Sequence, residues 1–271
     1  MGCRANDLGE PARQVRKSDA TMESDRWPVE HLTDDLRRLG VATGDLLMVH
    51  ASLRAIGPVV GGADGVIDAL EAAVESNGTL FMTLGARDDE GLFDCLVAPA
   101  DPEVGVLAEV FRTRPRTMVS DHPEGRFGAS GGLAHTLIDD VPWDDYYGPG
   151  SPLERFVQAG GRVLRLGADL DTVTALHYAE YLTPIASKRR VRRHRLVTGR
   201  DGPELRAIEC LDDSNGIVDY PGEDYFAVLL REYLATGRAS IGLVGRATSE
   251  LIDGADIVAF ATAWMAEHLQ A

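Results

Sequence analysis

Apolar positions along the chain alternate between two spacings. Leu32, Leu36 and Leu39 recur at helical spacing, and Gly40 stands where a helix C-cap belongs. From Asp45 to His50 the chain is almost continuously apolar over a strand's length, the mark of a strand covered on both faces. Gly61-Gly62 then precedes a helical face of Val66, Ile67, Leu70, Ala73 and Val74, and Asn77-Gly78 introduces a second apolar strand, Thr79 to Thr83. Strand, helix and strand at this spacing predict a βαβ unit with its strands parallel. Helical spacing returns at Val104, Leu107, Ala108 and Phe111, behind Pro102. Gly125, Gly128, Gly131 and Gly132 predict a glycine-rich turn leading into a helix from Leu133 to Ile138. Ser151-Pro152-Leu153-Glu154 is a capping box, and its helix stops at Gly160-Gly161.

From Arg162 the pattern gives a short buried strand, a glycine turn, and a helix opening on Asp171 or Thr172 and ended by Pro184. Strand-like stretches, Arg195 to Thr198 and Glu204 to Leu211, flank the hairpin signal Gly199-Arg200-Asp201-Gly202. Phe226, Leu229, Leu230 and Tyr233 mark a further helix. The last, roughly Ile257 to Leu269, packs Val258, Ala261, Met265 and Leu269. The expected fold class is α/β: a single domain over residues 26–271, an α/β/α arrangement around a mixed, mostly parallel sheet, with a C-terminal hairpin and helices. Residues 1–25 are polar and aperiodic, and are read as a disordered tail.

Charge narrows the partners. The 271-residue chain carries 43 acidic and 27 basic residues, a net charge of -16. That speaks against nucleic acid and anionic membranes and is compatible with a cationic ligand, although acidity also serves plain solubility. No apolar run reaches a membrane span, and no hydrophobic signal core follows the N-terminus. Cys3, Cys95 and Cys210 lack C-x-x-C spacing, so reduced thiols in a cytoplasmic protein are expected.

The candidate chemistry starts at His177 and Glu180, which stand three residues apart on one helical face. They read either as a surface pair or as a base with its carboxylate. Asp88-Asp89-Glu90 follows the second strand, where ligands of open α/β sheets bind, and Asp212-Asp213 forms a second acidic loop. The basic run from Lys188 to Arg195 is either a solvated face or a phosphate contact. No G-x-S-x-G elbow is present. His177-x-x-Glu180 is not H-E-x-x-H; His50, His122, Asp88 and Asp171 could add zinc ligands, but no spacing compels them. A histidine with a carboxylate and no nucleophile suits general-base activation of an amine.

Collinear motifs then resemble the aminoglycoside 3-N-acetyltransferase family from about Trp27 onward. They are Val49-His50-Ala51-Ser52-Leu53-Arg54-Ala55-Ile56-Gly57, Asp121-His122-Pro123, Tyr147-Gly148-Pro149-Gly150-Ser151-Pro152-Leu153, Asp171 through Glu180, Asp213-Ser214-Asn215-Gly216 and Leu251 through Val258. The resemblance implies acetyl-CoA as co-substrate without a metal, and the 3-amino group of a 2-deoxystreptamine aminoglycoside as acceptor, with antibiotic resistance as the outcome. It implies His177 as general base with Glu180 as its carboxylate. It implies Asp88, Tyr147, Asp212 and Asp213 as substrate contacts. Ser52, Leu53, Arg54, Ala55, His122, Phe127 and Thr172 map to the acetyl-CoA side. A homodimer is compatible with it. Arg126 departs from the family pattern, which often has Ser there, and Cys210-Leu211 interrupts an alternation of acidic residues. An acyltransferase acting on another amine and a metal-dependent hydrolase are the alternatives.

Overall fold

The computed structural model describes residues 26–86, 91–186, 188–199, 202–212 and 222–269; the expected N-terminal tail lies outside them. A βαβ unit opens the fold. Helix α1 (Val29–Leu39) buries Leu32, Leu36 and Leu39, and ends on Gly40, whose left-handed φ of 111° lets its N–H cap Leu36 and Arg37 carbonyls. Strand β1 (Leu46–Ala51) leads through the short α2 (Leu53–Ile56) to α3 (Ala63–Val74) and β2 (Thr79–Thr83). A 3-10 turn at Pro102–Val104 precedes α4 (Val106–Thr113), and β3 (Met118–Val119), β4 (Phe127–Gly131) and α5 (Ala134–Ile138) follow. Helix α6 (Pro152–Gln158) is capped by Ser151 as the sequence predicts, with its Oγ accepting the Glu154 N–H at 3.2 Å. Then come β5 (Arg162–Leu166), α7 (Leu176–Leu182), the hairpin β6 (Arg190–Gly199) and β7 (Gly202–Leu211), α8 (Tyr225–Ala235), β8 (Ser240–Val244), β9 (Ala247–Asp253) and α9 (Gly254–His268).

Seven strands form one sheet in the order β3-β4-β2-β1-β5-β9-β8, and β6-β7 form a separate ribbon. The sheet is mixed, as expected, but not mostly parallel. β1 pairs parallel with β2 and β5, whereas β2–β4, β3–β4, β5–β9 and β8–β9 are antiparallel. The reason is connectivity. Helices separate β1, β2 and β5 and allow parallel crossovers, while β3–β4 and β8–β9 are consecutive strands that run antiparallel to each other, and β4 and β9 each join the central three antiparallel. β8 and β9, joined at Gly245-Arg246, form a hairpin that the apolar pattern did not reveal.

Period-two alternation sorts the sheet residues into two cores. Met48, Phe81, Phe127, Val163 and Ile252 pack with α6, α7, α8 and α9. Leu47, Val49, Leu80, Met82, Leu164 and Leu251 pack with α1, α3 and α4. Helices on both faces give the expected α/β/α layering. The glycine-rich stretch read as a turn is largely strand β4. Its small residues admit neighbours: a Cβ at Gly128 would stand 3.2 Å from Leu84 and 3.3 Å from Phe111. Among the described residues no helix is long and apolar enough to cross a membrane.

Candidate active site

At the C-terminal ends of β1 and β2 lies a cleft of about 500 Å³. Its floor is Val49–Leu53 with Met82 and Thr83, and its walls are Glu103–Ala108 and the loop after β5, at Ala168, Asp169, Thr172 and Thr174. This is where an open α/β sheet presents a ligand site. Gly167 makes the turn possible: its φ is +63°, and a Cβ there would stand 2.5 Å from Ala55 of α2. Ser52 caps α2 by accepting the Ala55 N–H at 3.3 Å, and its own N–H reaches the Leu166 carbonyl at 3.0 Å. Thr174 ties the end of the loop wall to the sheet through two contacts. Thr83 donates its hydroxyl to Thr174 Oγ1 at 3.0 Å, and the Thr174 N–H points at His50 Nε2 at 3.4 Å.

The helix expected at Asp171 or Thr172 starts instead at Leu176, after a turn in which the Thr172 N–H bonds the Asp169 carbonyl. His177 and Glu180 do share a face of α7, with Nδ1 to Oε2 at 2.8 Å. Neither is a simple surface residue. The Glu180 side chain is 2% exposed and that of His177 25%. The His177 ring stacks on Tyr147, centroids 5.0 Å apart at 13°, and meets Phe226 on its other flank at 4.9 Å. Glu180 accepts two more hydrogen bonds, from Lys188 Nζ and from the Tyr225 hydroxyl. Burial alone would raise its pKa, but His177 and Lys188 together outweigh that and hold it below the ordinary carboxylate value. With Nδ1 engaged by a carboxylate, Nε2 is the nitrogen left to handle a proton. A second cavity, about 650 Å³, borders α7 at Glu180, Tyr181 and Leu182 and is also lined by Lys188 and Arg190.

Of the expected cofactor-side residues, Ser52, Leu53, Arg54 and Thr172 line the cleft, and Ala55 sits just behind them on α2. His122 and Phe127 do not. His122 is fully buried, its Nδ1 accepting the Gly125 and Glu124 N–H groups at 2.7 and 3.1 Å while Nε2 donates to the Trp143 carbonyl at 3.1 Å. Burial pushes its pKa down to about 4. Such an imidazole shapes a turn and has no ring nitrogen left for a ligand. Phe127 is core, stacked on Phe81 at 4.8 Å, and stands edge-on to Tyr147, the ring that stacks on His177, at 6.0 Å.

Of the expected substrate side, Tyr147 lies on His177. Asp212 is buried, and Arg189 and Arg193 face its carboxylate at 3.3 and 3.5 Å. Asp88 and Asp213 lie outside the described residues.

Arg126, the departure from the family pattern, is a buried clamp. Its guanidinium donates to the carbonyls of Gly85, Pro99, Cys95 and Ala98 at 2.7–3.2 Å, and burial followed by Arg112 lowers its pKa to about 10. The basic run is likewise engaged by carboxylates: Lys188 by Glu180, Arg190 by Asp145 and Glu209, and Arg195 by Glu124. Lys188 and Tyr225 are therefore partners of Glu180 that sequence reading missed. Lys188 was visible only as the first member of a charge run, and Tyr225 carried no signal at all. Among the described residues, no three His, Cys, Asp or Glu side chains are grouped to hold a metal ion.

Residues 48–266 match the family profile described as aminoglycoside 3-N-acetyltransferase. The chain is 43% identical over 265 residues to aminoglycoside N(3)-acetyltransferase III of Serratia marcescens, covering 90% of this chain and 98% of that one. Among solved structures, AAC-IIIb in a binary complex with CoASH superposes with a TM-score of 0.85 at 37% identity, over 90% of this chain and 98% of that one. AAC-VIa bound to sisomicin gives a TM-score of 0.85 at 36% identity, over 91% and 100%.

Proposed function

The chain belongs to the aminoglycoside 3-N-acetyltransferase family, and from that premise we propose how its own residues divide the reaction. The enzyme transfers the acetyl group of acetyl-CoA to an aminoglycoside amine, the 3-amino group of the 2-deoxystreptamine ring. Acetyl-CoA enters the cleft lined by Ser52, Leu53, Arg54 and Thr172. The aminoglycoside approaches from the Tyr147 side of His177. Asp88 and Asp213 are candidate partners for its ammonium groups. Asp212, already facing two arginines, is a weaker candidate.

His177 is the general base in this reading, and one observation carries it: a partly exposed imidazole whose Nδ1 is held at 2.8 Å by a buried carboxylate. Nε2 takes a proton from the incoming ammonium. The free amine attacks the thioester carbonyl and the C–S bond breaks. The extra proton still on the amide nitrogen goes to the departing thiolate, which leaves as CoA thiol, and His177 returns its proton to solvent. Glu180 fixes the ring and stabilises the imidazolium that forms, as a carboxylate does for a catalytic histidine. No acyl-enzyme is required, because the amine attacks directly.

The test is His177→Ala in steady-state and binding assays. We expect ~10²-fold or greater loss of kcat, the scale of general-base loss, with aminoglycoside Kd unchanged. Turnover within a few-fold of wild type would remove His177 from this role. The reading puts the activity where acetyl-CoA is made and used, with a cytoplasmic enzyme and resistance to the acetylated antibiotic as its proposed consequences. A homodimer through the outer strand β8, whose Ile241 and Leu243 are exposed, is the assembly this reading favours, and sedimentation equilibrium checks it.

A further inference from the structure

On the sheet face that packs α7 and α9, Met48, Val163 and Ile252 stand side by side across β1, β5 and β9. Two residues away along each strand, in the same register, the row becomes His50, Arg165 and Glu250. An apolar face thus turns polar at the end of β1 that opens into the cleft.

All three side chains of this row are buried or nearly so, and two of them reach the loop that walls the cleft. Arg165 donates Nη1 to Glu250 Oε2 at 2.9 Å and Nη2 to the carbonyls of Ala168 and Asp169 at 2.8 and 2.7 Å, with Nε directed at the Thr172 carbonyl at 3.4 Å. His50 is directly beside Arg165 and lines the cleft with Ser52, Thr83 and Thr172. Because the Thr174 N–H points at Nε2, Nε2 is the acceptor and the ring proton sits on Nδ1. Burial, and then the Arg165 charge, push the His50 pKa down to about 3. The ring is neutral at working pH. The other charged side chains lining this cleft are Arg54, Glu103 and Asp169.

A neutral imidazole held in one tautomer is a preorganised N–H donor. Such a donor stabilises negative charge developing on a carbonyl oxygen without having to reorient in the transition state.

We infer that His50 is a substrate-touching residue: its Nδ1–H donates to a carbonyl oxygen of the acyl donor in the cleft, and Arg165 with Glu250 are positioning residues that hold the 168–174 loop around that donor. This rests on the cleft being the acetyl-CoA site.

Two experiments decide it. Asn can replace an Nδ1 donor and Leu cannot. We expect His50→Leu to lose ~10- to 10²-fold in kcat/KM for acetyl-CoA, toward the scale seen when one oxyanion donor is removed. His50→Asn should recover most of that loss, and aminoglycoside Kd should stay within twofold in both. Equal impairment of Asn and Leu, or full activity in His50→Leu, would overturn the role. The second experiment uses the unaltered protein, so it holds even if a variant does not fold. In ¹⁵N-labelled protein titrated with acetyl-CoA without acceptor, the Ser52 and Thr172 amides and the His50 Nδ1–H resonance should all move. Movement of the two amides without His50 defeats this inference and leaves the donor site standing. No movement at any of the three defeats the donor-site reading, and this inference falls with it.

Discussion

Three donors share the Glu180 carboxylate: His177 on its own helix, Lys188 just beyond it, and the Tyr225 hydroxyl from α8. The ammonium matters most for the chemistry. Against the cost of burial, Lys188 helps hold the Glu180 carboxylate ionised and so keeps it a good acceptor for His177 Nδ1. With His177 as the proposed base, Lys188→Met should lower kcat several-fold while leaving KM for acetyl-CoA little changed, and Lys188→Arg should restore it. An unchanged kcat in Lys188→Met would show that Lys188 only packs. His122 gives a stability prediction with the opposite emphasis. Its folded pKa of about 4 lies below the ordinary 6.5, so the unfolded chain binds the proton first. The stabilisation is complete above pH 6.5 and is lost as pH falls toward 4, by up to about 3 kcal/mol. Chemical denaturation across that range should show the decline, and His122→Asn should make it shallower, leaving the part that the likewise depressed His50 contributes. Sequence could single out His177 and Glu180 because helical spacing places them together. It could not find Tyr225, 45 residues beyond Glu180, because nothing local marks a tyrosine whose partner arrives through tertiary packing.

Among the elements, those with a strong local rhythm were legible. α1, α3, β1, β2, α6 and β5 follow from apolar spacing, capping box and glycine stops. β4 and β8 were not. The first is built of small residues with no hydrophobic signature, and the second alternates Ile241 and Leu243 outward, against the usual polar rim. The onset of α7 was misplaced because Asp171 and Thr172 look like caps, yet their backbone is drawn into the loop that Arg165 holds. Loop geometry here depends on two residues that can be tested. Gly167→Ala forces a side chain into the left-handed region and against Ala55. It should lower Tm by several degrees and raise KM for acetyl-CoA, whereas the same change at exposed Gly132, which has open space around it, should not. Arg126→Met leaves four carbonyls of the segment after β2 without their donor. Hydrogen exchange at Phe93–Ala98 should accelerate by an order of magnitude or more, while exchange in β1 and β5 stays unchanged. Uniform acceleration across the sheet would mean that the clamp supports the whole fold rather than that segment.

For the whole molecule, charge and architecture bear on different substrates. The α/β/α layering puts the cleft at the strand ends, where its polar lining is set by particular residues of either sign: Arg54, Glu103, Asp169. The net charge of -16, by contrast, acts over the entire surface. A polycationic antibiotic is drawn by that field and the anionic acetyl-CoA is repelled by it. Salt screens both effects, because the Debye length contracts from about 30 Å at 0.01 M to about 8 Å at 0.15 M. Raising ionic strength across that range should therefore lower kcat/KM for the aminoglycoside several-fold, mostly through KM, while kcat/KM for acetyl-CoA holds steady or rises. The direction of the two trends is the informative result. If both fell together, the salt would be acting on the enzyme's stability, and a parallel Tm series would show it. If neither moved, recognition would depend on short-range contacts alone, and the acidic surface would serve solubility, the other reading its composition allows.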